Sequence, residues 1–525
     1  MKHVPTLLLT LCLLAVACSQ PQVPAQFTQS DQLPRIYPDY IDVTIPVNMA
    51  PMTLELLVSA DDAVTRYAAE GEEILCGGLK ARPDIDDWKR LTSKAQGKDI
   101  SIEIYAKKDG KWVRFKPFGI HVSTDSIDPW LSYRLISPSY VSYEELTINQ
   151  RCLENFDEQV IVDNMLCSTE QGGQCVNCHS YQQYNPERMQ FHARQTHGGT
   201  LIAYDGELQK VSMQHDSLLS AGVYPAWHPW LRLIAYSTNK TMQSFHTADP
   251  NKIEVLDSES DLIVYDIDKN EVTTIENRPD ELEIFPCWAP DGRSLYYCSA
   301  HFHYENDTVD IAEATLRAQD FKYNIYRKAF NPDTHEFGER ELVFCADTIP
   351  QHPTPITHHP SPNTQHPTPN TSVKGMSATL PHISPDGRWL LFTMGQWGCF
   401  HIWHHDADLW LMDLSTGEAA PAAGLNSDDT ESYHTWSSNG RWVVFSSRRY
   451  DGVFTRPFIA HIDEQGQATK PFELPSRDPD YHRQLIKSYN VPELMRGPVR
   501  HTPQEMARTL KTEGKAVKYT TSEQR

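Results

Sequence analysis

Positive charge, cysteine and long apolar runs are all scarce in this chain. Lysine and arginine total 47 against 69 aspartates and glutamates, a formal net charge of −22. That balance argues against nucleic acid and against anionic membrane surfaces as partners, since both select basic patches. It keeps a folded protein soluble, and it would steer a basic partner towards it without naming one. Eleven cysteines in 525 residues are too few for a disulfide framework, a device of small secreted domains. One apolar run stands out, from about Val4 to Val16. It is too short to cross a bilayer as a permanent helix, and no other run approaches that length. The chain is long enough for two or three domains with substantial cores.

The run after Lys2 fits the apolar region of a secretory signal. Ala15, Val16 and Ala17 lead directly into Cys18. This junction resembles the lipobox of bacterial lipoproteins, in which the cysteine becomes the lipidated first residue. The resemblance implies a signal peptide over residues 1–17, lipidation of Cys18 and a membrane anchor; the alternative is ordinary secretion with an incidental cysteine. Residues 18–37 are polar and contain proline, as a tether would. The stretch after Cys18 lacks an early acidic run, which favours the periplasmic face of the outer membrane.

In such a compartment both disulfides and covalent haem are allowed. Cys12 leaves with the signal. Cys175 and Cys178 sit in QCVNCHSY (174–181). The other seven, from Cys76 to Cys399, are an odd number and are expected mainly as small buried hydrophobes. Cys175, Cys178 and His179 read C-x-x-C-H, the pattern in which two thiols add to the vinyl groups of a haem and the next residue offers its imidazole to the iron. Three rivals remain. A thioredoxin-type pair normally opens a helix in a βαβ setting, which is not visible here. Zinc would need more ligands, which His192 and His197 could supply. A disulfide across two residues is strained. No second C-x-x-C-H exists, so a two-haem peroxidase is excluded. Downstream, NPERMQFHARQTHGG (185–199) predicts a helix opened by Asn185-Pro186. Met189 and His192 would then share a face and be the candidate sixth ligands, His192 the favoured one and His197 a third. An open sixth site is the remaining option.

The second half repeats. YPAWHPWLRLIAYS (224–237), FPCWAPDGRSLYYCS (285–299), LPHISPDGRWLLFTM (380–394) and YHTWSSNGRWVVFSS (433–447) align, each with alternating apolar residues about a tight turn. A second hairpin follows each, and GTLIAYDGELQKV (199–211) is another without a first hairpin upstream. Repetition at roughly 50–60 residues reads as propeller blades. The repeats count as five or six blades; the pattern resembles the TolB-like β-propeller family over about residues 199–475, and that resemblance favours six and implies a role in protein contact. Residues 348–375, rich in Pro, His and Thr, read as a disordered insertion, with His352, His358, His359 and His366 exposed.

Residues 38–150 carry strand patterns at 40–47, 52–60, 99–123 and 130–137, with a short helix at Asp86–Lys94, and predict a β-sandwich. Residues 151–198 show little strand pattern and hold the C-x-x-C-H. Residues 476–525 include an amphipathic stretch at 503–518. CVNCHSYQQYNPERMQFHARQTHGGTLI (175–202), ESYHTWSSNGRWVVFSSRRYDGVFTRPF (431–458) and KSYNVPELMRGPV (487–499) together resemble bacterial lipoproteins in which a TolB-like propeller carries one C-x-x-C-H ahead of its first blade. The resemblance assigns Cys175 and Cys178 to thioethers and His179 to the axial position, and implies no established catalytic activity.

The sequence thus predicts a mainly β protein: an N-terminal β-sandwich, a small haem-binding segment and a C-terminal TolB-like β-propeller. Its expected role is that of a lipid-anchored c-type cytochrome of the cell envelope, carrying one covalent haem c and passing single electrons to a protein partner docked on the propeller. The alternatives are a non-redox envelope scaffold and a haem oxidoreductase with a site on the propeller face. His382, His434, His401, His404 and His405, near Asp406 and Asp408, are the residues that a second metal centre on that face would use.

Overall fold

The computed structural model describes residues 20–137, 145–168, 174–245, 251, 253–349 and 375–520, without the side chains of Gln174 and Cys178. Cys18 and the four histidines of the insertion lie outside the described residues. Among the described residues no helix is long and apolar enough to cross a membrane.

The N-terminal part is a β-sandwich of unequal sheets. Seven strands between Thr28 and Val122 form one sheet, and Ile36–Tyr37, Leu54–Leu56 and Lys80–Ala81 form the other. Strand Lys98–Lys108 shows why: Ile100, Ile102 and Ile104 alternate inward and are buried. Its hairpin turns on Asp109 and Gly110, both at positive φ, the Asp-Gly pair that such a two-residue turn selects. Helix Ile85–Lys94 is capped by Asp84, whose carboxylate accepts from the Asp86 and Asp87 N–H groups. Both sheets share one core, which continues into Trp442, Ile459 and Phe472 of the propeller.

The sandwich ends earlier than residue 150. Trp130–Ile136, Thr147–Cys152 and Glu158–Asp163 leave it and form a separate four-stranded sheet with Ser488–Met495 from the other end of the chain. Local alternation marks Trp130–Ile136 as a strand but cannot say which sheet it joins.

Five further antiparallel meanders of four strands follow in chain order. The first runs through Gln174–Tyr181, Arg188–Gln195, Gly199–Tyr204 and Glu207–Ser212. The others begin at Val223, Glu281, Ser377 and Glu431. The innermost strands are Gln174–Tyr181, Val223–Trp227, Glu281–Trp288, Ser377–Ile383, Glu431–Trp436 and Ser488–Met495. Each contacts the next, and the last contacts the first. That closed ring makes the molecule a β-propeller, with the chain's two halves contributing to one sheet.

Three expectations are corrected here. Residues 151–198 are not a separate strand-poor segment: they are divided between the sheet that closes the ring and the first blade. The hairpin missing ahead of Gly199 is Gln174–Tyr181 with Arg188–Gln195, so the propeller sheets begin before residue 199. Residues 188–195 are a strand, not a helix, because they pair on both sides with blade neighbours. At the C-terminus, helix Pro503–Leu510 has a Thr502–Glu505 capping box and stops short of 518. The Lys210 ammonium donates to the carbonyls of Leu510 and Thr512, and Lys515–Ala516 and Lys518–Thr520 then pair with the outer strands of the first two blades.

Candidate functional site

All six innermost strands carry the same irregularity. Their register breaks between Asn177 and Ser180, Val223 and Ala226, Ile284 and Cys287, Thr379 and His382, Ser432 and Thr435, and across Val491-Pro492. Each break is a β-bulge that re-aims the residues within it. In five strands the bulge opens on a residue at positive φ: Tyr224, Phe285, Leu380, Tyr433 or Val491. Pro225, Pro286, Pro381, His434 or Pro492 follows. In the first blade the same two positions are Cys178 and His179. The segment Cys-His-Ser-Tyr is therefore the blade repeat itself, aligned with Tyr-Pro-Ala-Trp and Tyr-His-Thr-Trp.

The bulges surround a central cavity of about 380 Å³, to which every innermost strand contributes. Its wall includes Cys175, Asn177 and His179 of the first blade, and Tyr224 and Phe285, whose ring centroids lie 4.6 Å apart. His382, Tyr433 and His434 lie on the wall as well.

Two histidines occupy equivalent bulge positions and differ in their bonding. His434 donates from Nε2 to the Leu391 carbonyl at 2.9 Å. His179 is 1% exposed, and its ring has no side-chain partner and faces the Val491 backbone without a well-formed hydrogen bond to it. Burial, then the charge of Arg134, pushes its pKa down to about 3, so the ring is neutral at physiological pH, the form that ligates metals. The Asn177 amide donates to the Cys175 sulfur at 2.9 Å. Glu493 donates nothing to His179; it accepts the Tyr181 N–H at 3.2 Å, and burial pushes its pKa up to about 8.

The candidate sixth ligands do not reach this cavity. On a strand, residues three apart face opposite sides. Met189 is packed in the core with Phe191 and Ala193. His192 is 5% exposed on the other face, its Nδ1 3.3 Å from the Thr200 hydroxyl. Neither borders the cavity. His197 lies in the turn before Gly199.

The remaining propeller histidines are engaged between segments. His404 and Glu254, both buried, bond at 2.7 Å. His401 bonds Thr379 and the Trp397 carbonyl, and His405 bonds Asp429. Among the described residues no three His, Cys, Asp or Glu side chains come together as a cation site. Cys76, Cys152, Cys167, Cys298 and Cys399 are buried free thiols.

Sequence reasoning found Cys175, His179, His382 and His434 but missed the rest of the cavity. Arg134 comes from a strand that does not match the repeat pattern. The signal for the bulges was present: an aromatic or aliphatic residue, Pro or His, then one residue before Trp, Tyr, Ile or Leu.

No family model and no curated protein matches the sequence. Among solved structures the chain is similar to prolyl oligopeptidase B from Galerina marginata, at 8% identity and a TM-score of 0.34, over 71% of this chain and 42% of that one. It is also similar to the Cps50 (Swd1) β-propeller domain of Myceliophteria thermophila, at 9% identity and a TM-score of 0.30, over 56% of this chain and 70% of that one. A DUF4784 family protein from Bacteroides caccae aligns over 87% of this chain and 98% of its own at 7% identity and a TM-score of 0.25. At these levels the likenesses add nothing to the ring of strands described above.

Proposed function

We propose that the protein is an exported, lipid-anchored c-type cytochrome whose haem c sits in the central cavity and exchanges single electrons with a protein partner of the envelope. The observation that carries this reading is His179: a buried, neutral imidazole with no side-chain partner, on the cavity wall to which Cys175 also contributes. That donor set fits a covalent haem with Cys175 and Cys178 as thioether positions and His179 as axial ligand. The group supplies one-electron chemistry when bound. The chain's part is to tether it, to keep the imidazole neutral by burial and to surround it with aromatic and aliphatic side chains. His382 and His434 are the further imidazoles on the cavity wall. Lipidation at Cys18 would hold the propeller at the periplasmic face of the outer membrane.

One observation favours a second reading. Cys178-His179 occupies the place that proline dipeptides fill in four other blades, as the framework of a non-redox propeller scaffold would. A haem stain and a reduced-minus-oxidised spectrum separate the two. The chain is expressed with a c-type maturation system beside a Cys175→Ala/Cys178→Ala variant. Covalent staining and a sharp α-band, both lost in the variant, are expected. An unmutated chain that matures without haem would leave the scaffold as the account.

A further inference from the structure

Arg134 is the unmatched charge of the cavity. It lies on Trp130–Ile136, one strand out from the closing strand, and is 7% exposed. Its side chain borders the cavity, and its Nε has no hydrogen-bond partner. Among the described residues no carboxylate forms an ion pair with it. Other buried cations have stated partners: Lys328 pairs with Glu276, the Lys210 ammonium donates to two backbone carbonyls, and the Arg456 guanidinium donates to three carbonyls of the segment 482–487. A guanidinium taken out of water without an anion is strongly unfavourable. The one carboxyl on the cavity wall, Glu493, accepts the Tyr181 N–H and forms no ion pair with Arg134. The other charged residue on the wall is Arg194, which is exposed and of the same sign. In a chain of net charge −22, the central cavity is locally positive.

The size and the remaining wall say what kind of anion fits. A cavity of about 150 Å³ is enough to take up benzene, and this one measures about 380 Å³. Tyr224, Phe285, Phe400 and Tyr433 give it aromatic surface, suited to a flat apolar body. A guanidinium fork matches a carboxylate in two parallel hydrogen bonds.

We infer that the central cavity is a receptor site for an organic carboxylate, with Arg134 as its counter-ion and the aromatic wall as the seat of its apolar body. The carboxylate belongs either to a free small molecule or to a haem tethered on the same wall. Arg134 needs it in both cases, so the inference does not depend on the haem reading.

The test titrates benzoate and its neutral counterpart benzamide calorimetrically into the full chain produced without haem maturation. Wild type is expected to bind benzoate at least about tenfold more tightly than benzamide, the difference a charge-assisted pair makes. Arg134→Met is expected to lose that preference while keeping the melting temperature of wild type or exceeding it. Arg134→Lys is expected to keep part of the preference. The same titration of the haem-stained chain, where one is obtained, distinguishes the sources. Benzoate binding retained there assigns the site to a free ligand, and binding lost assigns it to the haem's own carboxylates. The inference is overturned if neither compound binds, or if Arg134→Met keeps the benzoate preference.

Discussion

Glu283 holds a proton at neutral pH, and the cost of removing it is written into the third blade. Its carboxyl is fully buried on the innermost strand. One oxygen accepts the Arg278 N–H at 3.2 Å, and the other has no partner. Burial pushes the pKa up to about 8, and the charges of Asp261, Glu276 and Glu281 push the same way. The folded state therefore keeps a proton that the unfolded chain releases above its ordinary value of 4.5. Stability falls as pH rises through that interval and levels off above about 8. Asp408, raised to about 7 by burial and then by Glu431 and Asp406, adds to the same decline. Glu283→Gln keeps the shape and has no proton to lose. Urea midpoints of variant and wild type are expected to agree near pH 4 and to separate by pH 8.5, with the variant more stable by on the order of a few kcal/mol. Parallel profiles across that range would refute the assignment.

Elements make the same point through their turns. Gly292 and Gly387 occupy corresponding Pro-Asp-Gly turns, both at positive φ, where L side chains are strained. A Cβ on Gly387 would meet nothing within 4 Å, whereas one on Gly292 would lie 2.5 Å from Trp230 and 2.7 Å from His228. Gly387→Ala is expected to cost about 1 kcal/mol, the backbone penalty alone. Gly292→Ala is expected to cost at least twice that, because two packed rings must move. Equal shifts of the urea midpoint would show that Trp230 yields freely. These turns, and the alternating strands beside them, were legible in the sequence because their chemistry is local. The innermost strand of the first blade was not. Its repeat dipeptide is Cys178-His179, so the same letters that hold a blade register also spell a haem-attachment motif. Met189 and His192 were misplaced for a related reason: Asn185-Pro186 is a good helix start, but pairing on both edges overrides a local propensity. Cys175 and His179 could be named as site residues from sequence. Arg134 could not, because nothing local shows that its strand borders a cavity built by five other sheets.

At the scale of the whole molecule, one strand decides whether the ring exists. Ser488–Met495 pairs antiparallel with Trp130–Ile136. The Tyr489 ring packs tilted against Tyr133 with centroids 4.7 Å apart, and the Tyr489 carbonyl accepts from Ser446 and Thr455 of the fifth blade. The Pro492 carbonyl accepts from Thr435, and Glu493 accepts from the first blade at Tyr181. Removing it would leave Trp130–Ile136 as an unpaired inner edge and would open the cavity wall at Val491, Pro492 and Glu493. An exposed strand edge pairs with other chains. A chain ending at Leu485 is therefore expected to associate on size-exclusion chromatography and to melt broadly, well below the full chain. A chain ending at His501 keeps the closing strand and loses only the helix and the two outer strands. Met506 and Leu510 of that helix are fully buried, and losing two such side chains costs several kcal/mol. This second chain is expected to stay monomeric and to melt in one transition at a lower temperature. If the chain ending at Leu485 instead remains a monomer with the melting temperature of the chain ending at His501, ring closure contributes nothing to the fold, and the cavity does not need its sixth wall.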